Sequence, residues 1–120
     1  MGDYIDGFVL TIPKARLADY KRVATKAGRI WRDHGALEYR ECILEDPAAP
    51  SMIPFPKLIK ARPDEVVVFS WAIFKTRRQR DAANRKIMAD PRVAAMCEET
   101  KGLVDCKRMA YGGFTNLVSL

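Results

Sequence analysis

A chain of 120 residues, 48% of them hydrophobic, has the material for one enclosed core and not for two, so a single domain spanning 1–120 is expected. No apolar run approaches the roughly 20 residues that cross a bilayer, and no basic leader with an apolar stretch opens the chain, which predicts a soluble, unprocessed protein without a membrane partner. Cys42, Cys97 and Cys106 are odd in number and lack C-x-x-C spacing, so they suggest neither a disulfide framework nor a thiolate zinc site and fit buried or idle thiols in a reducing cytoplasm.

Residues 4–12, YIDGFVLTI, are rich in aromatic and branched side chains and stop at Pro13, which suits a first helical turn; they predict strand one. Leu17, Tyr20, Ala24, Ala27, Trp31 and His34 follow at spacings of three and four, one stripe of a helix that Gly35 closes with a left-handed cap. Residues 36–44 alternate Leu37, Tyr39, Glu41 and Ile43 against Glu38, Arg40, Cys42 and Leu44, an edge strand with charges on both sides. Between about 45 and 65 lie Pro47, Pro50, Pro54, Pro56 and Pro63, and since proline cannot donate to a ladder, no central strand forms there. The segment is an excursion, with a short extended arm at 57–61 and a turn at Pro63 and Asp64.

Residues 66–74, VVVFSWAIF, offer Val67, Phe69, Trp71 and Ile73 to one face and Val66, Val68, Ala72 and Phe74 to the other, with Ser70 the sole polar member. A strand half in water alternates apolar with polar residues, so both faces of this one call for cover. Thr76 and Gln79 have the spacing of a capping box and open a helix to Ala89, with Ala83, Ile87 and Met88 inward. Asp90 and Pro91 start a second short helix as cap and first residue, and 107–118 supply the last strand.

The order strand, helix, strand, strand, helix, strand predicts an α+β, ferredoxin-like βαββαβ fold: a four-stranded antiparallel sheet with strands one and three central and the helices on one face. The helices cover one face only. The most economical cover for the other is the same sheet of a second copy, so a homodimer is expected.

The segments YIDGFVLTIPKARLADYKRVATKAGRIWRDHGALEYREC, VVVFSWAIFKTRRQRDAANRKIMADPR and KRMAYGGF resemble those typical of YbaA-like bacterial proteins, the domain-of-unknown-function family numbered 1428. The likeness spans nearly the whole chain and implies a dimeric α/β barrel. It implies no reaction. Related dimeric α/β barrels include small monooxygenases, haem-degrading enzymes and plain ligand binders, with the ligand between a sheet and its own helices.

Which polar groups point there decides the chemistry. His34, the only histidine, continues the inward stripe of the first helix and is the best candidate for proton transfer, or else it satisfies the last carbonyls of that helix. Trp71, Asn84, Tyr39, Glu41 and Tyr111 are the candidate ligand-binding residues, although Trp71 equally suits packing and Asn84 a backbone partner. Haem-degrading relatives also use a histidine on the helix after the third strand; residues 77–89 hold none, which argues against haem. Gly112 and Gly113 mark a bulge in the last strand. No acid pair, nucleophile triad, phosphate loop or metal-ligand cluster stands out, so no cofactor and no metal are expected: binding of a small organic molecule is the expectation, with a cofactor-free, monooxygenase-like oxidation of it as the expected extension. The alternative is RNA binding, since residues 14–34 and 75–92 each hold seven basic and two acidic residues and concentrate the net +6 on helices. Against it, 66–74 lack the aromatic pattern with which ferredoxin-like RNA-binding modules read bases.

Overall fold

In the computed structural model, which describes residues 3–120, β1 (Tyr4–Pro13), β2 (Glu38–Ile43), β3 (Glu65–Phe74) and β4 (Ala110–Thr115) form one antiparallel sheet in the order β2-β3-β1-β4. The two long apolar strands are central because only they can tolerate cover on both sides. They pair without interruption from Tyr4 opposite Phe74 to Pro13 opposite Glu65, where the proline sits at the strand end and breaks no ladder.

That register decides which side chains face the helices. Asp6, Phe8, Leu10 and Ile12 of β1 share a face with Val68, Ser70, Ala72 and Phe74 of β3 and with Tyr39 and Glu41 of β2. Against it pack α1 (Leu17–Asp33), α3 (Arg77–Ala89) and α4 (Pro91–Glu99); the short α2 (Phe55–Leu58) lies in the proline-rich excursion. One core cluster joins Ile30, Ala36, Ala72, Phe74, Ala83 and Ile87, and a second joins Leu10, Ile12, Val23, Val68 and Leu103. The expected four-stranded, ferredoxin-like α+β arrangement is the one observed.

The local signals act as anticipated at the helix ends. Gly35 has φ +116° after α1, Thr76 Oγ1 accepts from Gln79 N at 3.1 Å, and Asp90 Oδ1 accepts from Arg92 N at 2.9 Å with Pro91 opening α4. Four details differ. Residues 57–61 are not an extended arm: Pro56, in the first turn of α2, favours helical backbone, and the chain leaves through Lys60 at φ 55°. Met88 is 68% exposed, because one residue beyond the Ala83–Ile87 line carries it about 100° round the helix. The Gly112–Gly113 pair makes no bulge; both pair in register with β1, and a Cβ on Gly113 would collide with the Tyr4 phenol. All three cysteines are exposed rather than buried.

The opposite sheet face has little cover within the chain. Phe69 is 48% exposed and Phe114 58%, and the excursion reaches this face with Phe55, whose ring stacks on Phe69 at 6.3 Å. Among the described residues no helix is long and apolar enough to cross a membrane.

One end of the sheet is clamped by Glu65, which accepts from both terminal nitrogens of Arg108 at 2.7 Å, from Arg62 N at 2.7 Å and from Thr11 Oγ1 at 3.2 Å. The Arg108 guanidinium holds the carboxyl down to about 2, against the upward pull of burial. A carboxylate lowered by folding stabilises the fold above its unfolded-state value, and that stabilisation disappears as pH falls through the folded value. Urea unfolding is therefore expected to ease between about pH 5 and about pH 2, with Arg108→Met flattening that fall. An acid profile that Arg108→Met leaves unchanged would show that the clamp contributes nothing.

Candidate functional site

Ser70 and Ala72 are the shortest side chains in the middle of β3, and the space they leave lies between the two core clusters. There a cavity of about 150 Å³ opens, walled by Phe8, Leu10, Trp31 and Met109 and carrying Glu41, Ser70, Tyr20 and Tyr39 as its polar groups. Strand register builds it: Glu41 stands opposite Ser70 across the β2–β3 ladder, and Ser70 stands opposite Phe8 across β3–β1.

Glu41 is held by hydroxyls alone. Tyr20 donates to Oε1 and Tyr39 donates to Oε2 at 2.5 Å, with no arginine or lysine paired to the carboxylate among the described residues. Burial pushes the Glu41 carboxyl above its usual range, while the two phenolic hydrogen bonds pull it back part of the way. Burial, and then the adjacent carboxylate, push both phenols far upward, so they remain protonated donors at ordinary pH. Ser70 is 6% exposed and lines the cavity between Glu41 and Phe8.

Tyr39 reaches this place because α1 has no side chain in the way. A Cβ on Gly28 would stand 2.8 Å from Tyr39 Cδ1, and the Tyr39 ring lies 6.1 Å from that of Trp31. Tyr39 and Glu41 also line a wider groove of about 510 Å³ outside, together with Lys21, Arg29 and Arg32. The pair is thus a wall between an apolar cavity and a basic groove.

Of the other candidates, only Trp71 borders the cavity. His34 Nε2 is 2.8 Å from Asp90 Oδ2 and ties the end of α1 to the cap of α4. Trp71 borders the cavity from β3, but its indole N–H donates to Glu38 at 2.7 Å and its ring lies 5.4 Å from Phe69, on the face turned away from the helices. Asn84 is half-buried on α3 and does not line the cavity. Tyr111 belongs to a second polar cluster: its hydroxyl donates to Asp6 at 3.0 Å and accepts from Arg80 at 2.8 Å, and Arg80 reaches Asp6 at 2.5 Å. Of the five candidate ligand-binding residues, only Tyr39 and Glu41 meet with polar groups in the cavity.

Tyr20, Asp6, Arg80 and the cavity role of Ser70 are not among the features that the sequence singles out. Asp6 did carry a signal, as the only charge within an otherwise apolar central strand. Tyr20 did not, because an aromatic on a helical stripe looks like any core residue. Among the described residues no group of three or more His, Cys, Asp or Glu side chains is arranged to hold a metal ion.

Residues 3–103 match the model of a family described as "Protein of unknown function (DUF1428)". The YbaA protein of Escherichia coli K12 is 38% identical over 115 residues, covering 96% of this chain and 97% of its own length. The chain belongs to the DUF1428 family. Two solved structures show how widely the DUF1428 fold is shared. SnoaB, a cofactor-independent oxygenase from Streptomyces nogalater, superposes with a TM-score of 0.64 at 14% identity, over 100% of this chain and 98% of its own. A dimeric ferredoxin-like protein from an uncultured marine organism superposes with a TM-score of 0.67 at 6% identity, over the full length of both chains. At such identities the likeness concerns the fold alone.

Two substitutions probe the cavity wall of this DUF1428 protein. Gly28→Ala should force Tyr39 off Glu41 and cost about 1–3 kcal/mol by urea unfolding, with a smaller cost once Tyr39→Ala has removed the ring; equal costs in both backgrounds would show that Tyr39 is not what the methyl meets. Glu41→Gln should behave in the opposite sense. A carboxyl raised by folding contributes most below its unfolded value and less as pH rises through the folded one, so removing the charge should hold or raise stability near pH 8. A large loss of stability there would mark Glu41 as a structural group.

Proposed function

We propose that the chain works as a homodimer that binds a small organic molecule in the cavity beside Glu41. The observation that carries this proposal is the carboxylate itself: desolvated, held by two phenols, and without the cation that a purely structural carboxylate needs. Apolar walls with a few convergent polar groups are the usual make-up of a small-molecule site. A cofactor-free, oxygenase-type step is the extension of this proposal, and it is where the oxygenase named in the SnoaB structure guides the choice of assay. Such a step has to start by making the substrate itself electron-rich, and Glu41 is the one carboxylate on the cavity wall that can take a proton from it.

Dimerisation is supported by the exposed apolar sheet face around Phe69, Phe114 and Trp71 and by the dimeric state named for the marine neighbour. RNA binding has weaker support, because Arg16, Arg22, Lys26, Arg77, Arg80 and Arg92 of the basic helices are engaged with carboxylates of the same chain.

Light scattering is expected to give twice the monomer mass at micromolar concentration, with Phe69→Asp giving folded monomer by circular dichroism; a wild-type monomer would refute the dimer. For the ligand, native mass spectrometry and a thermal-shift screen of small aromatic metabolites should yield a binder whose affinity falls about 5- to 150-fold in Glu41→Gln. Binders indifferent to that change would place the ligand elsewhere.

A further inference from the structure

We infer that the cavity selects an uncharged hydrogen-bond donor built on a single ring, a phenol or an enol, and rejects carboxylates. This rests on the cavity being a ligand site and adds what kind of ligand it takes. A net charge of +6 and the basic groove outside would by themselves suggest an anion. The cavity wall says otherwise.

Its lining contains no lysine or arginine; Lys21, Arg29 and Arg32 belong to the groove on the other side of the Tyr39–Glu41 wall. Glu41 accepts one phenolic hydrogen bond on each oxygen, which leaves one lone pair per oxygen for a ligand donor. Ser70, directly opposite Glu41 in the ladder, adds a hydroxyl-bearing side chain to the same cavity wall. A single ligand O–H satisfies both, donating to Glu41 and accepting from Ser70. A carboxylate could accept from Ser70 but not serve Glu41: it has no proton to donate, and it would bring a second negative charge into a place where burial already disfavours the first.

Shape agrees with charge. About 150 Å³ accommodates one aromatic ring, and Phe8 and Trp31 supply aromatic walls with Leu10 and Met109 filling the remaining sides.

Phenol and benzoate form the matched pair of probes, the same ring bearing a neutral donor or an anion. Heteronuclear NMR titrations of the full-length protein at neutral pH give both affinities for wild type, Glu41→Gln and Ser70→Ala. Phenol should bind at least about 10-fold more tightly than benzoate, Glu41→Gln should shrink that ratio, and Ser70→Ala should weaken phenol about 5- to 10-fold. Benzoate bound as tightly as phenol overturns the inference while leaving the cavity a ligand site. Phenol binding that neither substitution alters also overturns it. If neither ring binds, the inference is overturned, and the metabolite screen separately decides whether the cavity takes a ligand at all.

Discussion

Asp6 is 2% exposed in the middle of a central strand, and a carboxylate so placed must be met by a cation or forfeit its solvation. Arg80 meets it at 2.5 Å from α3, and its guanidinium also lies 4.7 Å from the centre of the Tyr4 ring. Tyr111 adds a hydroxyl from β4 to the same carboxylate. One buried charge therefore ties together the inner strand, the edge strand beside it and the helix above. Leaving either partner alone in such a setting costs about 3–5 kcal/mol, enough to decide where α3 sits. The glycines of β4 fit the same constraint, since a side chain at Gly113 would push Tyr4 out of its place beneath Arg80.

Glu41 is the counterpart of Asp6, and the contrast between them lies in what each carboxylate is paired with. Both are carboxylates on the helix-facing side of the sheet. Asp6 has a guanidinium and a phenol; Glu41 has two phenols and lines the cavity. Evolutionary economy would favour an aliphatic residue at position 41 if only packing mattered, because a desolvated, cation-free carboxylate works against stability at neutral pH. That such a group stands on a cavity wall beside Ser70 is what supports the proposed ligand role.

The uncovered sheet face and the basic helices follow from the same division of labour. Three of the four helices are committed to the inner face, where they close over the two core clusters, so the outer aromatic residues Phe69, Trp71 and Phe114 have little cover within the chain. The basic residues of α1 point outward and in part neutralise carboxylates of neighbouring turns and of α4, as Lys26 does with Glu99. Surface ion pairs of this kind contribute little to stability, so these residues mainly shape the charge around the groove.

Local chemistry determined the elements. Proline and glycine punctuation, the caps at Thr76 and Asp90, and the doubly apolar run 66–74 act over a few residues, and each is visible in the sequence by itself. The strand order follows from them, because the two most apolar strands belong at the centre. The site did not follow. Tyr20 and Glu41 are 21 residues apart and meet only because α1 folds over β2, and Ser70 enters the cavity only through its register with Glu41. His34 and Trp71 looked chemically promising in sequence, yet the first serves a helix junction and the second turns its ring to the opposite face. Periodicity says which face of an element a residue occupies, but whether that face meets another apolar surface, a charge or an empty cavity depends on how the elements are stacked, which only the tertiary structure decides.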